Sequence, residues 1–314
     1  MTILLGIDEN GLGPRLGPLV ATAVALDGGA APSDDASFYD AAAWMALGAQ
    51  AGVGDSKATA GFGAMRVAEG LALAMAERTA GAVPGDADAL FDAVGLEASE
   101  ALQRPCDVGS RPQCWGASMA LPAFGGTVEE GRARLSRLDA GGARIVGARS
   151  AVSCVRVYNR EVARRGSKLA VDLELFERLM LDASGRHGRP MLALCGMVGG
   201  IRRYRPQLAR LDPDLVETLE EGRRRSAYRV RGLGEMRFEV DSDAHHLPVA
   251  LASMLGKYVR EVWMERQTRF YRSHDATLPV ASGYHDPVTA RFVEASLTTR
   301  RRLQIAEDCF ERAR

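Results

Sequence analysis

The amino-acid sequence of this 314-residue chain predicts an α/β fold. Short runs rich in Val, Ile, Leu and Ala, typical of β-strands, are separated by longer segments in which apolar residues recur at every third or fourth position. Residues 143–152, 157–181 and 190–197 show this most clearly, in the order strand, helix, buried strand. Strands that alternate with helices in this way form a sheet with helices packed against it.

The chain opens with a predicted hairpin. Residues 3–7 form one apolar strand and residues 18–26 a second, joined by a stretch rich in glycine and proline. Asp8 and Glu9 follow the first strand directly, where both side chains are expected to turn toward one ion. Clustered carboxylates without thiols or imidazoles favour Mg²⁺ or Mn²⁺. The alternative is a hairpin whose wide turn carries an acidic pair by chance.

The first half of the chain is otherwise mostly helical. Residues 29–51 predict a loop with a weak helix, and residues 64–81 and 87–102 have helical periodicity. Residues 104–126, interrupted by Pro and Gly, predict an inserted loop or small hairpin. Ser56 and Lys57 precede a helix, where a hydroxyl and a cation suit a phosphate, although ordinary helix capping explains the serine equally well.

The second half contains basic clusters and a second acidic group. Arginines cluster at residues 202–205, with a tyrosine between them, and this pattern suits either a nucleic-acid backbone or a solvated helix face. Residues 227–243 alternate as a hairpin does, so Glu239, Asp241 and Asp243 are expected on one face. Solvated charges at a sheet edge are the alternative interpretation.

A long helix and an aromatic loop follow. The helix begins at Pro248 and places Ser253 and Lys257 on one stripe, since they are four residues apart. The adjacent pair His245–His246 fits no common zinc spacing and is interpreted as part of a loop. Tyr284 precedes a further helix, on a loop where its ring is available for stacking.

Composition excludes several classes of protein. Lys plus Arg and Asp plus Glu number 40 each, so no global basic field exists and any nucleic-acid contact must be local. The five cysteines are scattered without a C-x-x-C, which argues against a disulfide framework or a zinc site. No apolar run reaches membrane-spanning length, and no signal peptide is recognisable. We therefore expect a soluble cytoplasmic protein.

Four segments, taken in order, resemble the type 2 ribonucleases H. They are GIDENGLGPRLGP, GVGDSK, DAHHLPVALASMLGKYVRE, and SGY before a helix. That family opens with G-I-D-E-A-G-R-G-P-x-x-G-P, continues with D-S-K, and has a late Asp before a helix reading A-A-S-I-L-A-K-V-x-R-D. Asp243 lies ten residues before Ser253 and fourteen before Lys257, which is the family spacing.

The resemblance implies a ribonuclease H-like fold, with a mixed five-stranded sheet flanked by helices. Residues 1–314 would form a single domain with insertions at about 80–135 and 200–235. It further implies Mg²⁺ or Mn²⁺ as cofactor and, as substrate, RNA in an RNA–DNA hybrid or a ribonucleotide embedded in duplex DNA. No membrane is implied, and no protein partner is inferred.

Roles for individual residues also follow from the resemblance. Asp8, Glu9 and Asp243 would be catalytic metal ligands. Substrate contacts would come from the glycine-rich loop, the D-S-K segment and the late aromatic residue, namely Gly11, Leu12, Gly13, Ser56, Lys57 and Tyr284. The backbone of the loop and the ring of Tyr284 would sense the 2′-hydroxyl.

The chain departs from the family pattern at two site positions. The family's V-D-G-N reads L-C-G-M here, which puts Cys195 where a third carboxylate is expected. Asp241 is the candidate substitute, ahead of Asp172 in the preceding helix. Leu12 replaces the Arg of the family's G-R-G. Two other functions therefore stay open: a weak or inactive homologue that binds hybrid duplex, and another ribonuclease H-fold nuclease that acts on DNA.

Overall fold

The glycine-rich opening of the chain lies in the middle of a mixed β-sheet. The computed structural model describes residues 2–27, 39–53, 65–106 and 113–313. Within these ranges seven strands form one sheet: β1 Ile3–Asn10, β2 Leu19–Asp27, β3 Ile145–Ser153, β4 Met191–Gly196, β5 Val216–Glu221, β6 Arg225–Val230 and β7 Gly234–Glu239. Their spatial order is β3-β2-β1-β4-β7-β6-β5. Strand β2 is antiparallel to β1 and β3, whereas β1, β4 and β7 are mutually parallel.

The predicted α/β class and mixed sheet are confirmed, but the predicted strand count of five is wrong. The sheet is extended by β6 and β5, which are antiparallel to their neighbours. Sequence reasoning missed β5 because its sequence, VETLEE, buries only the first residue. An edge strand solvated on both faces shows almost no apolar alternation, so periodicity does not reveal it.

Helices cover both faces of the sheet. In chain order the described helices are α1 Ala41–Ala51, α2 Arg66–Ala80, α3 Ala87–Val94, α4 Ser99–Gln103, α5 Val128–Ala140, α6 Val155–Arg165, α7 Lys168–His187, α8 Ser242–His245, α9 Leu247–Arg272, α10 Pro287–Ala295, α11 Leu297–Arg302 and α12 Glu307–Phe310. Short 3₁₀ turns lie at Arg205–Gln207 and Pro213–Leu215. The single helix expected over residues 157–181 is two helices. Gly166 ends α6 with a φ of +67°, and the Ser167 side chain then caps α7.

Two apolar layers enclose the sheet and fix the direction of each side chain in β1. Leu4 lies in the layer formed with α2 and α9, and Leu5 lies in the opposite layer, with α7. Gly6 shows how tightly α9 packs on β1, because a Cβ there would lie 2.1 Å from the carbonyl carbon of Pro248. Since successive side chains alternate, Asp8 faces α9 and Glu9 faces α7.

Among the described residues, no helix combines the length and the apolar character needed to cross a membrane.

Candidate active site

Asp8 and Glu9 lie at the carboxyl end of β1, but they do not turn toward one point. β1 stays regular up to Asn10, with Asp8 paired to Thr22 and Glu9 to Ala21 of β2. The two carboxylates therefore stand on opposite faces of the sheet, which differs from the expectation that the strand ends at Ile7. Both side chains are partly exposed.

Asp8 faces a set of polar groups from α8 and α9. Its pKa is raised from 3.8 to about 6, mainly by burial and also by the negative charge of Asp243. A hydrogen bond from Ser253 and the positive charge of Lys257 act in the opposite direction. The structure thus brings Asp8 and Asp243 together, beside the two α9 residues that share a stripe.

Asp241 does not join this group. The alternation expected over residues 227–243 stops when β7 ends at Glu239, and Asp241 adopts a left-handed conformation with a φ of +53°. It lies exposed at the start of α8, and its charge is not among those that perturb Asp8 or Glu9. The period-two prediction fails here because the chain turns into a helix instead of continuing as a strand.

On the opposite face, Glu9 meets a carboxylate that the sequence analysis ranked behind Asp241. Burial, and then the charge of Asp8, raise the pKa of Glu9 to about 8, while Arg312 lowers it. Asp172 of α7 is fully buried. Its pKa is well above its usual range because of burial and the charges of Glu9 and Asp8. The sequence contained one sign of this, since Asp172 lies on the same stripe of the helix as the apolar residues Leu169 and Phe176.

The last two residues of β4 also lie on opposite faces of the sheet. Cys195 pairs with Ile7 and is buried in the α7 layer, where burial raises the pKa of its thiol. Gly196 is the residue on the Asp8 side, and a Cβ there would lie 2.8 Å from Asp8 Oδ1. The position next to Asp8 on β4 therefore carries no side chain, and Cys195 lies on the other face.

Glu239, at the end of β7, is held by a histidine. His246 Nε2 lies 3.1 Å from Glu239 Oε2, and His246 Nδ1 lies 3.2 Å from the Tyr39 hydroxyl. The hydrogen bond with His246 lowers the pKa of Glu239. His246 is thus a buried structural histidine at the end of α8.

The carboxylates of this region are the oxygen ligands that a hard cation prefers, but they are not gathered around one point. Among the described residues, no three His, Cys, Asp or Glu side chains are gathered closely enough to hold a metal ion. However, Glu9 Oε2 and both carboxylate oxygens of Asp172 are buried and find no hydrogen-bond partner in the part of the chain that the structure describes. A bound cation relieves such crowded carboxylates. These oxygen donors fit Mg²⁺ or Mn²⁺, provided that the side chains converge on binding.

The glycine-rich loop after β1 is supported from inside by an arginine near the end of the chain. Gly11 has a φ of +100°, a conformation that favours glycine. Arg312 donates from Nη1 to the Gly11 carbonyl and from Nε to the Gly17 carbonyl at 2.8 Å. Leu12 packs partly buried against the α7 layer, and Gly13 is exposed.

The same loop contacts the segment that carries Tyr284. The backbone N–H groups of Arg15 and Leu16 both donate to the Gly283 carbonyl, at 2.8 and 3.0 Å. Tyr284 is 49% exposed, and the guanidinium carbon of Arg260 lies 4.8 Å from its ring centroid. The structure therefore places Gly11, Leu12 and Gly13 near Tyr284.

Two other predicted contacts have different outcomes. Ser56 and Lys57 lie outside the described residues. Tyr204, between the arginines of residues 202–205, is fully buried and stacks on Phe238 with ring centroids 3.7 Å apart. It is a core residue and does not present its ring to a nucleic acid, whereas Arg202 and Arg203 are exposed.

No protein-family model matches the chain, and no curated protein matches it in sequence.

Three solved structures that are similar to this chain are described as ribonucleases H. A chain of the PCNA:RNase HII complex from Archaeoglobus fulgidus has 16% identity and a TM-score of 0.46, over 99% of this chain and 94% of that one. Ribonuclease H2 from Pyrococcus horikoshii has 14% identity and a TM-score of 0.44, over 98% and 92%. Bst-RNase HIII in complex with Mn²⁺ has 14% identity and a TM-score of 0.46, over 99% and 66%. Identity at this level says nothing about individual residues, so function must be inferred from the side chains of the site.

Proposed function

We propose that this chain is a metal-dependent endoribonuclease similar to the type 2 ribonucleases H. It would hydrolyse RNA in RNA–DNA hybrids or ribonucleotides embedded in duplex DNA. The observation that carries the proposal is the meeting of Asp8 with Asp243, Ser253 and Lys257 at the carboxyl end of β1. These residues come from distant parts of the sequence and are the ones that the resemblance assigns to the site.

The carboxylates provide the negative charge that the reaction needs. When bound, divalent cations supply an activated water and stabilise the leaving oxygen of the phosphodiester. Asp8, Glu9 and Asp243 are the ligands we assign. Ser253 orients the Asp8 carboxylate, and the charge of Lys257 favours the ionised forms of Asp8 and Glu9. Because the carboxylates must be ionised to bind a cation, we expect binding to strengthen as pH rises from 6 toward 8.

The substrate contacts follow from the neighbouring loop. The backbone at Gly11 to Gly13 is suited to approach a ribose closely, because two of its three residues lack a side chain. Tyr284 is exposed beside it, and a half-exposed ring stacks on a sugar or base. Arg260 packs against the other side of the ring and restricts its orientation.

The test is a cleavage assay on three labelled duplexes: one with a single embedded ribonucleotide, a continuous RNA–DNA hybrid, and all DNA. Each is incubated with Mg²⁺ and then with Mn²⁺. We expect cleavage of a ribonucleotide-containing substrate, its loss in Asp8→Asn, and its retention in Asp214→Asn, an exposed carboxylate before β5. Asp241→Asn decides whether Asp241 is a fourth ligand. Cleavage that survives Asp8→Asn would contradict the assignment.

A second candidate is a weak or inactive homologue that binds hybrid duplex. Two observations favour it: Gly196 places no side chain beside Asp8, and among the described residues no three potential ligands lie close enough to hold a metal ion. Binding of the hybrid without cleavage under either metal would support this candidate. Cleavage of branched all-DNA substrates alone would instead indicate a ribonuclease H-fold nuclease acting on DNA, and would contradict both proposals.

A further inference from the structure

The topology brings the start of α7 to the edge of the sheet that carries Asp8 and Glu9. Strand β3 runs parallel to β1 and ends at Ser153, level with the end of β1. Helix α6 follows β3 directly, and α7 then returns across the sheet to Met191, where β4 begins beside Ile3. Asp172 lies little more than one turn inside α7, so the fold itself places it near the carboxyl end of β1.

Asp172 is buried against the sheet without a hydrogen-bond partner among the described residues. Its neighbours in the helix, Val171 and Leu173, belong to the same apolar layer as Ile7. The residue is 0% exposed, and within the described part of the chain neither carboxylate oxygen has a hydrogen-bond partner. Burying a carboxylate in this state is costly, and coordination to a cation would offset that cost.

Glu9 lies on the face of β1 that α7 covers, and one of its carboxylate oxygens is in the same state as those of Asp172. Its Oε2 atom is buried and lacks a hydrogen-bond partner among the described residues, and the charge of Glu9 acts on Asp172. Arg312 is the nearby cation that acts on both, but its Nε and Nη1 atoms already donate to carbonyl groups of the glycine-rich loop. Two carboxylates therefore share one guanidinium group, whose third nitrogen, Nη2, is also without a hydrogen-bond partner among the described residues.

We infer that Asp172 is a carboxylate ligand of the metal centre, which binds a divalent cation together with Glu9 on the α7 face of β1. It supplies from a helix the third carboxylate that β4 lacks at Cys195 and Gly196. The ligand class is a hard cation, Mg²⁺ or Mn²⁺, since the donors are oxygen atoms. This inference rests on the proposed function, because the cation it describes is the one assigned to catalysis.

The experiment measures Mn²⁺ binding without any substrate. Mn²⁺ alone is titrated into the metal-free full-length protein, and free Mn²⁺ is followed by electron paramagnetic resonance. We expect Asp172→Asn to weaken binding roughly tenfold or more, or to abolish one binding equivalent. The matched control is Asp182→Asn on the same helix, about 15 Å away, where the carboxylate pairs with Arg186 at 2.8 Å. It should bind Mn²⁺ like the unaltered protein.

Unchanged affinity and stoichiometry in a folded Asp172→Asn variant would overturn the inference. If that variant does not fold, crystals of the unaltered protein soaked in Mn²⁺ decide the question. Anomalous density within coordination distance of Asp172 supports the inference, and density at Asp8 and Asp243 alone refutes it. Cleavage is assayed separately. Mn²⁺ binding that depends on Asp172 in a protein that cuts no ribonucleotide would refute the proposed function and leave this inference standing.

Discussion

Replacing Glu9 with glutamine should stabilise the metal-free protein while weakening its response to metal. In the folded chain burial and the charge of Asp8 raise the pKa of Glu9 from 4.5 to about 8. A carboxyl group with a raised pKa favours the folded state only while it is protonated. Its contribution is fully present below pH 4.5 and is lost as pH rises through about 8. Glutamine keeps the shape of the protonated side chain at every pH.

The size of the effect follows from the two pKa values. With 4.5 in the unfolded chain and about 8 in the folded one, linkage gives a penalty of roughly 4 kcal/mol at pH 8 and about 1 kcal/mol at pH 5. Glu9 is partly exposed and its charge is coupled to that of Asp8, so solvent and proton redistribution reduce these values. We therefore expect Glu9→Gln to gain ~2 kcal/mol at pH 8 and less than ~1 kcal/mol at pH 5.

The assay is urea unfolding of the metal-free protein at pH 5 and pH 8, repeated with Mn²⁺. The matched control is Glu294→Gln, at an exposed position on α10. It should leave the free energy of unfolding unchanged at both pH values. Mn²⁺ should stabilise the unaltered protein more than Glu9→Gln, because a ligand that binds only the folded state raises its stability. The reasoning is refuted if Glu9→Gln is no more stable than the unaltered protein at pH 8, or if its gain is the same at both pH values.

Four further predictions concern the surroundings of the site. Gly196→Asp should tighten Mn²⁺ binding about tenfold relative to Gly196→Ala, because a Cβ at this position would lie 2.8 Å from Asp8 Oδ1. Calorimetric titration of the two variants with Mn²⁺ measures the difference, and equal affinities would contradict the prediction. Cys195→Asp should instead lower the free energy of unfolding by about 3 kcal/mol, since it buries a carboxylate in the apolar α7 layer; urea unfolding is the measurement, and an unchanged midpoint would contradict it. Arg312→Met removes charged hydrogen bonds to two loop carbonyls and should also cost about 3 kcal/mol, read from the same unfolding curves. Tyr284→Ala should weaken the binding of an RNA–DNA hybrid by about 1–3 kcal/mol, whereas Tyr284→Phe should retain the affinity. Fluorescence anisotropy measures both affinities, and equal values for the two variants would exclude stacking.

Much of the fold was readable because its elements are locally encoded. Helix α9 begins at Leu247, one residue before the proline expected to start it, and Asp286 caps α10 with Pro287 in the first turn. Prediction failed where neighbours in space decide the conformation. Charged β5 forms only because β6 offers it a partner, and Asp241 leaves the strand pattern because the chain must turn back toward α9.

The site was readable in part for the same reason. Asp8 and Glu9 stand out as an acidic pair after the first strand, and Asp243 through the spacing that the resemblance supplies; the structure brings Asp8 and Asp243 together. The roles of Asp172 and Arg312 depend on contacts across the whole chain, since Arg312 reaches Gly11 over a separation of 301 residues. Local periodicity carries no information about such contacts.

The support of the glycine-rich loop bears on how substrate is held. Leu12 stands where the resemblance expects an arginine, yet two guanidinium groups lie directly behind the loop. Arg312 and Arg260, 5% and 2% exposed, donate to the carbonyls of Gly11, Gly17 and Leu16. Because both groups are buried and donate to backbone carbonyls, they shape the loop from behind. Under the proposed function, the rigid backbone and the Tyr284 ring would recognise the ribose, and we expect phosphate contacts from exposed cations on the same edge of the sheet. Arg202, exposed in the segment that follows β4, lies in the right region for such a contact.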